Sequence, residues 1–180
     1  MARLFQKIFV ANRGEIACRI IRACRTLDIP SVAGYSECDR FSLHVQMADE
    51  AAYLGPSPGA ESYLHIERIL NAAQKHGCDA LHPGYGFLAE NAEFAEACEN
   101  AGIAFIGPSA AVIRKMGDKE ETRRTLKAYG VPIVPGVEDI NSAEEIVQFG
   151  HDVGWPVLIK ATAGGGGKGM RRVDTPDALP

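Results

Sequence analysis

Short β-prone apolar runs alternate with helix-patterned stretches through the first part of this 180-residue chain, and few folds accept that order. The pattern predicts strands over residues 7–11, 31–35, 51–54, 78–82 and 103–106. Helices are predicted over 15–27, with Ile16, Ile20, Ala23 and Leu27 on one face, and over 42–47. Two more follow, over 63–76 through Leu64, Ile66, Ile69, Leu70 and Ala73 with Gly77 as the stop, and over 92–100. Gly55-Pro56-Ser57-Pro58-Gly59 reads as an irregular turn. Strands and helices in strict alternation with short connections imply an α/β domain whose parallel sheet is covered on both faces.

Beyond this region the pattern changes. Helices are predicted over 109–116 and 119–128, with Asp118 placed to cap the second and Glu121 to complete the cap. Residues 130–136, with two prolines and two glycines, read as a linker containing a short strand. A helix over 142–153 is capped by Ser142, with Glu145 three residues on. Pro156-Val157-Leu158-Ile159 and Met170-Arg171-Arg172-Val173 then read as strands, and residues 177–180 as the start of a helix. A two-stranded hairpin and one helix bury little surface alone, so this second domain is expected to be cut short.

Between those last two strands lies Lys160-Ala161-Thr162-Ala163-Gly164-Gly165-Gly166-Gly167-Lys168-Gly169. Consecutive glycines expose backbone amides with no side chain in the way, and such a concave run binds anions. Lys160 and Lys168 add positive charge at its ends, which points to polyphosphate. A P-loop is excluded, because Thr162 and Gly169 stand where that pattern requires Gly and Ser or Thr. Gly164, Gly166 and Gly169 match a dinucleotide fingerprint, but that motif opens a helix and this loop opens a strand. Flanking strands and lysines also argue against a flexible linker.

The composition, 46% hydrophobic and 23% charged with net charge −4, is that of a soluble globular protein and gives no basic face for nucleic acid. No apolar run approaches the ~18 residues of a membrane span. Residues 1–6 are too few to form a signal or transit peptide ahead of the first strand, so a cytoplasmic protein is expected. Five cysteines (Cys18, Cys24, Cys38, Cys78 and Cys98) form no C-x-x-C pair and no disulfide framework, and Cys18 and Cys98 read as packed thiols. His44, His65, His76 and His151 are expected on helix surfaces or ends, without metal-ligand spacing, and no metal site is expected.

Two further segments sit where an α/β sheet places ligands, at the carboxyl ends of strands. In Ala11-Asn12-Arg13-Gly14-Glu15-Ile16-Ala17, the polar groups of Asn12, Arg13 and Glu15 either face a site or cap the helix and pin neighbouring loops. In His82-Pro83-Gly84-Tyr85-Gly86-Phe87-Leu88-Ala89-Glu90-Asn91, glycines, a phenol, a carboxylate and an amide crowd one loop. That density favours a site wall, although Phe87 and Leu88 suit a core anchor and Asn91 a helix cap.

The first of these extended back over its strand, Ile8-Phe9-Val10-Ala11-Asn12-Arg13-Gly14-Glu15-Ile16-Ala17, and the second, with Phe105-Ile106-Gly107-Pro108, Met116-Gly117-Asp118-Lys119 and the 160–170 loop, resemble biotin carboxylase in order and spacing over essentially the whole chain. The family includes free-standing subunits and the amino-terminal portions of acyl-CoA and pyruvate carboxylases. The resemblance implies a Rossmann-like leading domain over residues 1–115, a connecting helix over 116–130 and a partial ATP-grasp lid over 131–180. It implies ATP-dependent carboxylation of biotin on a carrier, with Mg²⁺ or Mn²⁺ on the phosphates. Lys119, Lys160, Gly164, Gly165, Gly166, Gly167, Lys168 and Gly169 would contact ATP, and Tyr85, Gly86 and Glu90 would wall the biotin pocket. Implied partners are a biotin carboxyl carrier protein or domain, a carboxyltransferase component and, for the full-length protein, a second copy. Ala163 replaces a glycine common in relatives, which stiffens the loop's start.

The family's metal-binding carboxylates, bicarbonate-binding arginine and general base lie beyond residue 180. No catalytic residue is therefore expected within the chain, and the chain alone is expected to be inactive. A non-catalytic assembly fragment and a different ATP-grasp ligase are the alternative readings.

Overall fold

The computed structural model describes residues 4–117, 119–137, 140, 142–160 and 169–179, with the side chains of 119–121 outside the description. The chain divides into two compact units, Met1–Lys119 and Glu120–Pro180.

The first unit is built on strands β1 (Ile8–Val10), β2 (Ser31–Ser36), β3 (Glu50–Gly55), β4 (Ala80–His82) and β5 (Ala104–Phe105). They form one sheet in the order β3-β2-β1-β4-β5, and every pairing is parallel. Helices α1 (Gly14–Thr26), α2 (Leu43–Met47), α3 (Ile66–Lys75), α4 (Ala92–Asn100) and α5 (Ala110–Gly117) complete the unit. This is the Rossmann-like arrangement.

β1 shows why the sheet must be covered on both faces. Ile8, Phe9 and Val10 are all buried, yet a strand points alternate side chains to opposite faces. Phe9 joins a core with Val32, Leu54, Ile69, Leu81 and Phe94 on the side of α3 and α4. Ile8 and Val10 join Ala17, Ile20, Ile21 and Cys24 on the side of α1. Each fully buried side chain of this size contributes about 1.5–3 kcal/mol of transfer free energy. Cys18 and Cys98 are packed thiols, as expected. Burial pushes the Cys98 thiol up to about 12, so it stays protonated and behaves as a small apolar group.

Several expectations are corrected. α1 buries Ala17, Ile20, Ile21 and Cys24 rather than a face containing Leu27, which is 64% exposed because it lies past the helix end. The helix predicted from residue 63 begins at Ile66, since Tyr63 is drawn into the core as the residue of largest volume fully buried there. His44 is not on a surface: it is fully buried at the start of α2. His65 and His76 do stand at the two ends of α3.

The second unit contains α6 (Lys119–Ala128, shared at its first residue with the first unit), α7 (Ala143–Val153), and strands β6 (Val157–Lys160) and β7 (Met170–Val173). β6 and β7 pair antiparallel, with Val157 opposite Val173 and Lys160 opposite Met170. Ser142 Oγ accepts the Glu145 amide at 3.3 Å, as the capping pattern predicts. No strand forms over the described residues of the 130–136 stretch. Arg123 donates instead to the carbonyls of Val134 and Gly136, both at 3.2 Å, and takes the place of a ladder partner. The expected helix at the end is a single 3₁₀ turn, Pro176–Ala178. Asp118, the proposed cap of α6, lies outside the described residues.

Candidate functional site

The strand order reverses between β1 and β4, because the chain runs outward to β2 and β3 and then returns to the other side of β1. In open α/β sheets the crevice at such a switch point, beyond the carboxyl ends of the strands, is where ligands bind. The two segments that emerge there are the turn after β1, carrying Asn12, Arg13 and Glu15, and the loop after β4, residues 83–91. Both belong to the first unit.

Asn12 is 3% exposed and does not cap α1. Its Nδ2 donates to the Pro83 carbonyl at 2.7 Å and the Tyr85 carbonyl at 2.9 Å. Both partners can only accept, which fixes the orientation of the amide. Of the two readings of this turn, Asn12 therefore realises the pinning of a neighbouring loop. Gly84, held between those carbonyls, has φ +69, and a Cβ there would lie 2.7 Å from Asn12 Nδ2. The loop is moulded around the amide. The Gly84 amide in turn donates to His82 Nδ1 at 3.0 Å. Burial lowers the His82 pKa and so favours the neutral ring, while the Gly84 bond makes Nδ1 its accepting nitrogen.

Arg13 leads into a buried polar cluster that sequence reasoning missed. Asp39 accepts from Arg13 at 3.0 Å, Ser36 Oγ at 2.8 Å and the Tyr63 hydroxyl at 2.9 Å. Burial pushes the Asp39 pKa up, but the hydrogen bonds from Ser36 and Tyr63 and the Arg13 charge outweigh it and hold the carboxyl below its ordinary range. Tyr63 is pushed in the opposite direction, by burial first and by its bond to Asp39. The Tyr63 ring stacks on Phe87, centroids 5.0 Å apart and planes within 10°. Phe87 has φ 41, a left-handed conformation a phenylalanine adopts only when its surroundings impose it. The one signal in the sequence was the i, i+3 spacing of Ser36 and Asp39, which no motif singles out.

Of the residues the family resemblance places at the biotin pocket, Tyr85 is 62% exposed and its hydroxyl donates to Glu15 Oε2 at 3.1 Å. That bond to a carboxylate raises the Tyr85 pKa. Gly86 is exposed with φ +68, and Glu90 is exposed. Leu88 anchors the loop in the core, and Asn91 caps α4 by accepting the Phe94 amide at 2.8 Å. Beside this junction a cavity of about 470 Å³ is lined by Gly14, Glu15, Cys18, Arg22, Leu43 and His44, so it shares Glu15 with the crevice.

The residues expected to contact ATP lie in the second unit or at its border. Lys160 is exposed at the end of β6, opposite Met170 at the start of β7, and Gly169 has φ +74. Lys119 is the first residue of α6. Gly164, Gly165, Gly166, Gly167 and Lys168 lie outside the described residues. Among the described residues no three His, Cys, Asp or Glu side chains converge on a possible cation.

Comparison with known proteins bears directly on this arrangement. The family described as "Biotin carboxylase, N-terminal domain" matches residues 4–113, and that described as "Carbamoyl-phosphate synthase L chain, ATP binding domain" matches residues 118–180. Biotin carboxylase 1 of Bacillus subtilis is 56% identical over 177 residues, covering 98% of this chain and 39% of that protein. The biotin carboxylase–β,γ-ATP complex of Campylobacter jejuni superposes with a TM-score of 0.87 at 40% identity, over 99% of this chain and 40% of the other. The biotin carboxylase domain dimer of Hydrogenobacter thermophilus 2-oxoglutarate carboxylase, holding MgADP, ADP and bicarbonate, gives 0.82 at 50% identity, over 97% of this chain and 38% of the other. The chain thus spans about two fifths of the length of these relatives. Since the first family match alone takes in more than half of the residues, the chain belongs to the biotin carboxylase family.

Proposed function

We propose that this chain supplies the amino-terminal part of an ATP-dependent biotin carboxylase. The whole protein would convert ATP, bicarbonate and a biotinyl carrier into carboxybiotinyl carrier, ADP and phosphate. The observation that carries this reading is topological. Two of the family segments, 8–17 and 82–91, meet at the carboxyl ends of β1 and β4 although some seventy residues separate them.

In the proposed reaction a bicarbonate oxygen attacks the γ-phosphorus and ADP leaves, giving carboxyphosphate. Its carboxyl group takes the place of the hydrogen on the ureido nitrogen of biotin, and the phosphate released carries away that proton. Mg²⁺ or Mn²⁺ would neutralise charge on the phosphates. This chain's own share is binding and orientation. Lys119, Lys160 and Lys168 would neutralise phosphate oxygens, with the amides of Gly164, Gly165, Gly166, Gly167 and Gly169 as donors. Tyr85, Gly86 and Glu90 would form the wall against biotin. The domain limits proposed are 1–115, 116–130 and 131–180. The proposed setting is the cytoplasm, with a carrier, a carboxyltransferase component and a second copy as partners.

Lys160→Ala in the full-length protein tests the ATP assignment. Losing a charge-assisted phosphate contact costs about 1.5–3 kcal/mol, a rise in the KM for ATP or a fall in kcat of roughly ten- to hundredfold. Unchanged ATP kinetics would remove Lys160 from the site.

A further inference from the structure

We propose that Asn12 is a positioning residue for biotin: its side-chain amide, clamped onto the carbonyls of Pro83 and Tyr85, sets the turn that presents Tyr85 at the switch-point crevice. The inference rests on the biotin carboxylase reading for the identity of the ligand, and on this structure for the clamp.

The clamp has three independent supports. Both donor contacts of a buried amide go to carbonyls two residues apart in one loop, at 2.7 and 2.9 Å. The intervening Gly84 approaches that amide too closely to admit a Cβ, so a side chain there would displace the amide. The other end of the loop is gripped from the same place, since Phe87 stacks on Tyr63, Tyr63 bonds Asp39, and Asp39 holds Arg13, the residue next to Asn12. Between these grips Tyr85 points its hydroxyl at Glu15, on the first turn of α1. Asn12 lies against Gly84 and gives its amide hydrogens to backbone oxygens of the loop. Its effect on a ligand is therefore indirect, through where Tyr85 stands.

Asn12→Asp is the sharpest test, because it keeps the shape and the oxygen that accepts the Arg13 amide while replacing both donors by an acceptor. Asn12→Ala serves as the second variant, removing the amide without placing charge in the core. Both are made in the full-length protein, and thermal unfolding establishes the folded fraction. Two readouts follow: steady-state kinetics with free biotin and with ATP, and hydrogen exchange of the amides at 84–89.

The expected result is a KM for biotin raised about tenfold or more, with the KM for ATP within about twofold, because a misplaced wall residue affects only the ligand it faces. Amides 84–89 exchange faster in both variants. A merely structural role would lower kcat with the folded fraction and leave both KM values alone, which would overturn the proposal. Unchanged exchange at 84–89 in a folded variant would overturn the clamp whatever the kinetics. A folded wild-type protein without biotin-dependent ADP release would defeat the functional reading, and the biotin assignment with it, while the exchange data would still judge the clamp.

Discussion

At the scale of single residues, the buried polar groups around Arg13 carry the sharpest energetic consequences. Asp39 accepts from a half-exposed guanidinium and from two buried hydroxyls, so Asp39→Ala leaves the Ser36 and Tyr63 hydroxyls without that acceptor while Arg13 turns to water. A loss of about 2–3 kcal/mol is expected from the two buried hydroxyls left without their acceptor, measurable as a lowered urea midpoint. A change below about 1 kcal/mol, the level of an exposed pair, would show the cluster to be solvated.

His44 gives a pH signature. Neither of its ring nitrogens has a partner in hydrogen-bonding geometry, and burial lowers its pKa. The Gly34 backbone and the Asp39 charge draw it part of the way back. His82 is lowered too, by burial. Both have the ordinary value of 6.5 when unfolded, so below that pH the unfolded chain binds more protons than the folded one. Their contribution is complete above 6.5 and is lost as pH falls towards the lower folded values. Asp39 and Asp49 are also lowered, so a second loss follows as pH falls below their ordinary 3.8. Urea midpoints measured from pH 8 downward should fall in these two stages, and His44→Gln should flatten the first. An unchanged first stage in that variant would mean that His44 is not protected from protons.

At the scale of elements, the loop after β4 separates two glycines that look alike in sequence. Gly84 and Gly86 share positive φ, +69 and +68, but Gly84 abuts Asn12 whereas nothing lies within 4 Å of a Cβ at Gly86. Gly86→Ala should cost only the left-handed backbone strain of about 1–2 kcal/mol. Gly84→Ala should cost at least about 1 kcal/mol more, for the displaced amide. Equal losses in a thermal or urea series would contradict the close approach.

This difference marks the limit of what the sequence discloses. The strands were legible because a doubly covered sheet demands continuous apolar runs such as Ile8-Phe9-Val10. The caps at Asn91 and Ser142 were legible because capping is local. The start of α3 was not, because Tyr63 leaves the helical pattern for a bond to Asp39, made across the fold. The role of Asn12 was half-legible. The sequence placed it at the sheet edge, but only the pairing of β1 with β4 brings Pro83 and Tyr85 within its reach.

At the scale of the molecule, the two units differ in how much they bury. The first has cores on both faces of its sheet, while in the second Gly150, Val157 and Val173 are the buried residues among those described. Limited proteolysis of the isolated chain should spare residues before about Met116 and cut rapidly after it. Uniform resistance throughout would show the second unit to be well packed by itself. The isolated chain is also expected to release no biotin-dependent ADP, because positioning alone does not assemble a phosphoryl-transfer site.

The most direct measurement replaces the matching 177-residue stretch of Bacillus subtilis Biotin carboxylase 1 with this chain, which is 56% identical to it. The purified chimaera is given ATP, Mg²⁺, free biotin and radiolabelled bicarbonate. The account predicts biotin-dependent ADP release with label in carboxybiotin, and weakened use of ATP on Lys160→Ala. A folded chimaera that binds neither ATP nor biotin, beside an active Bacillus parent, would contradict it.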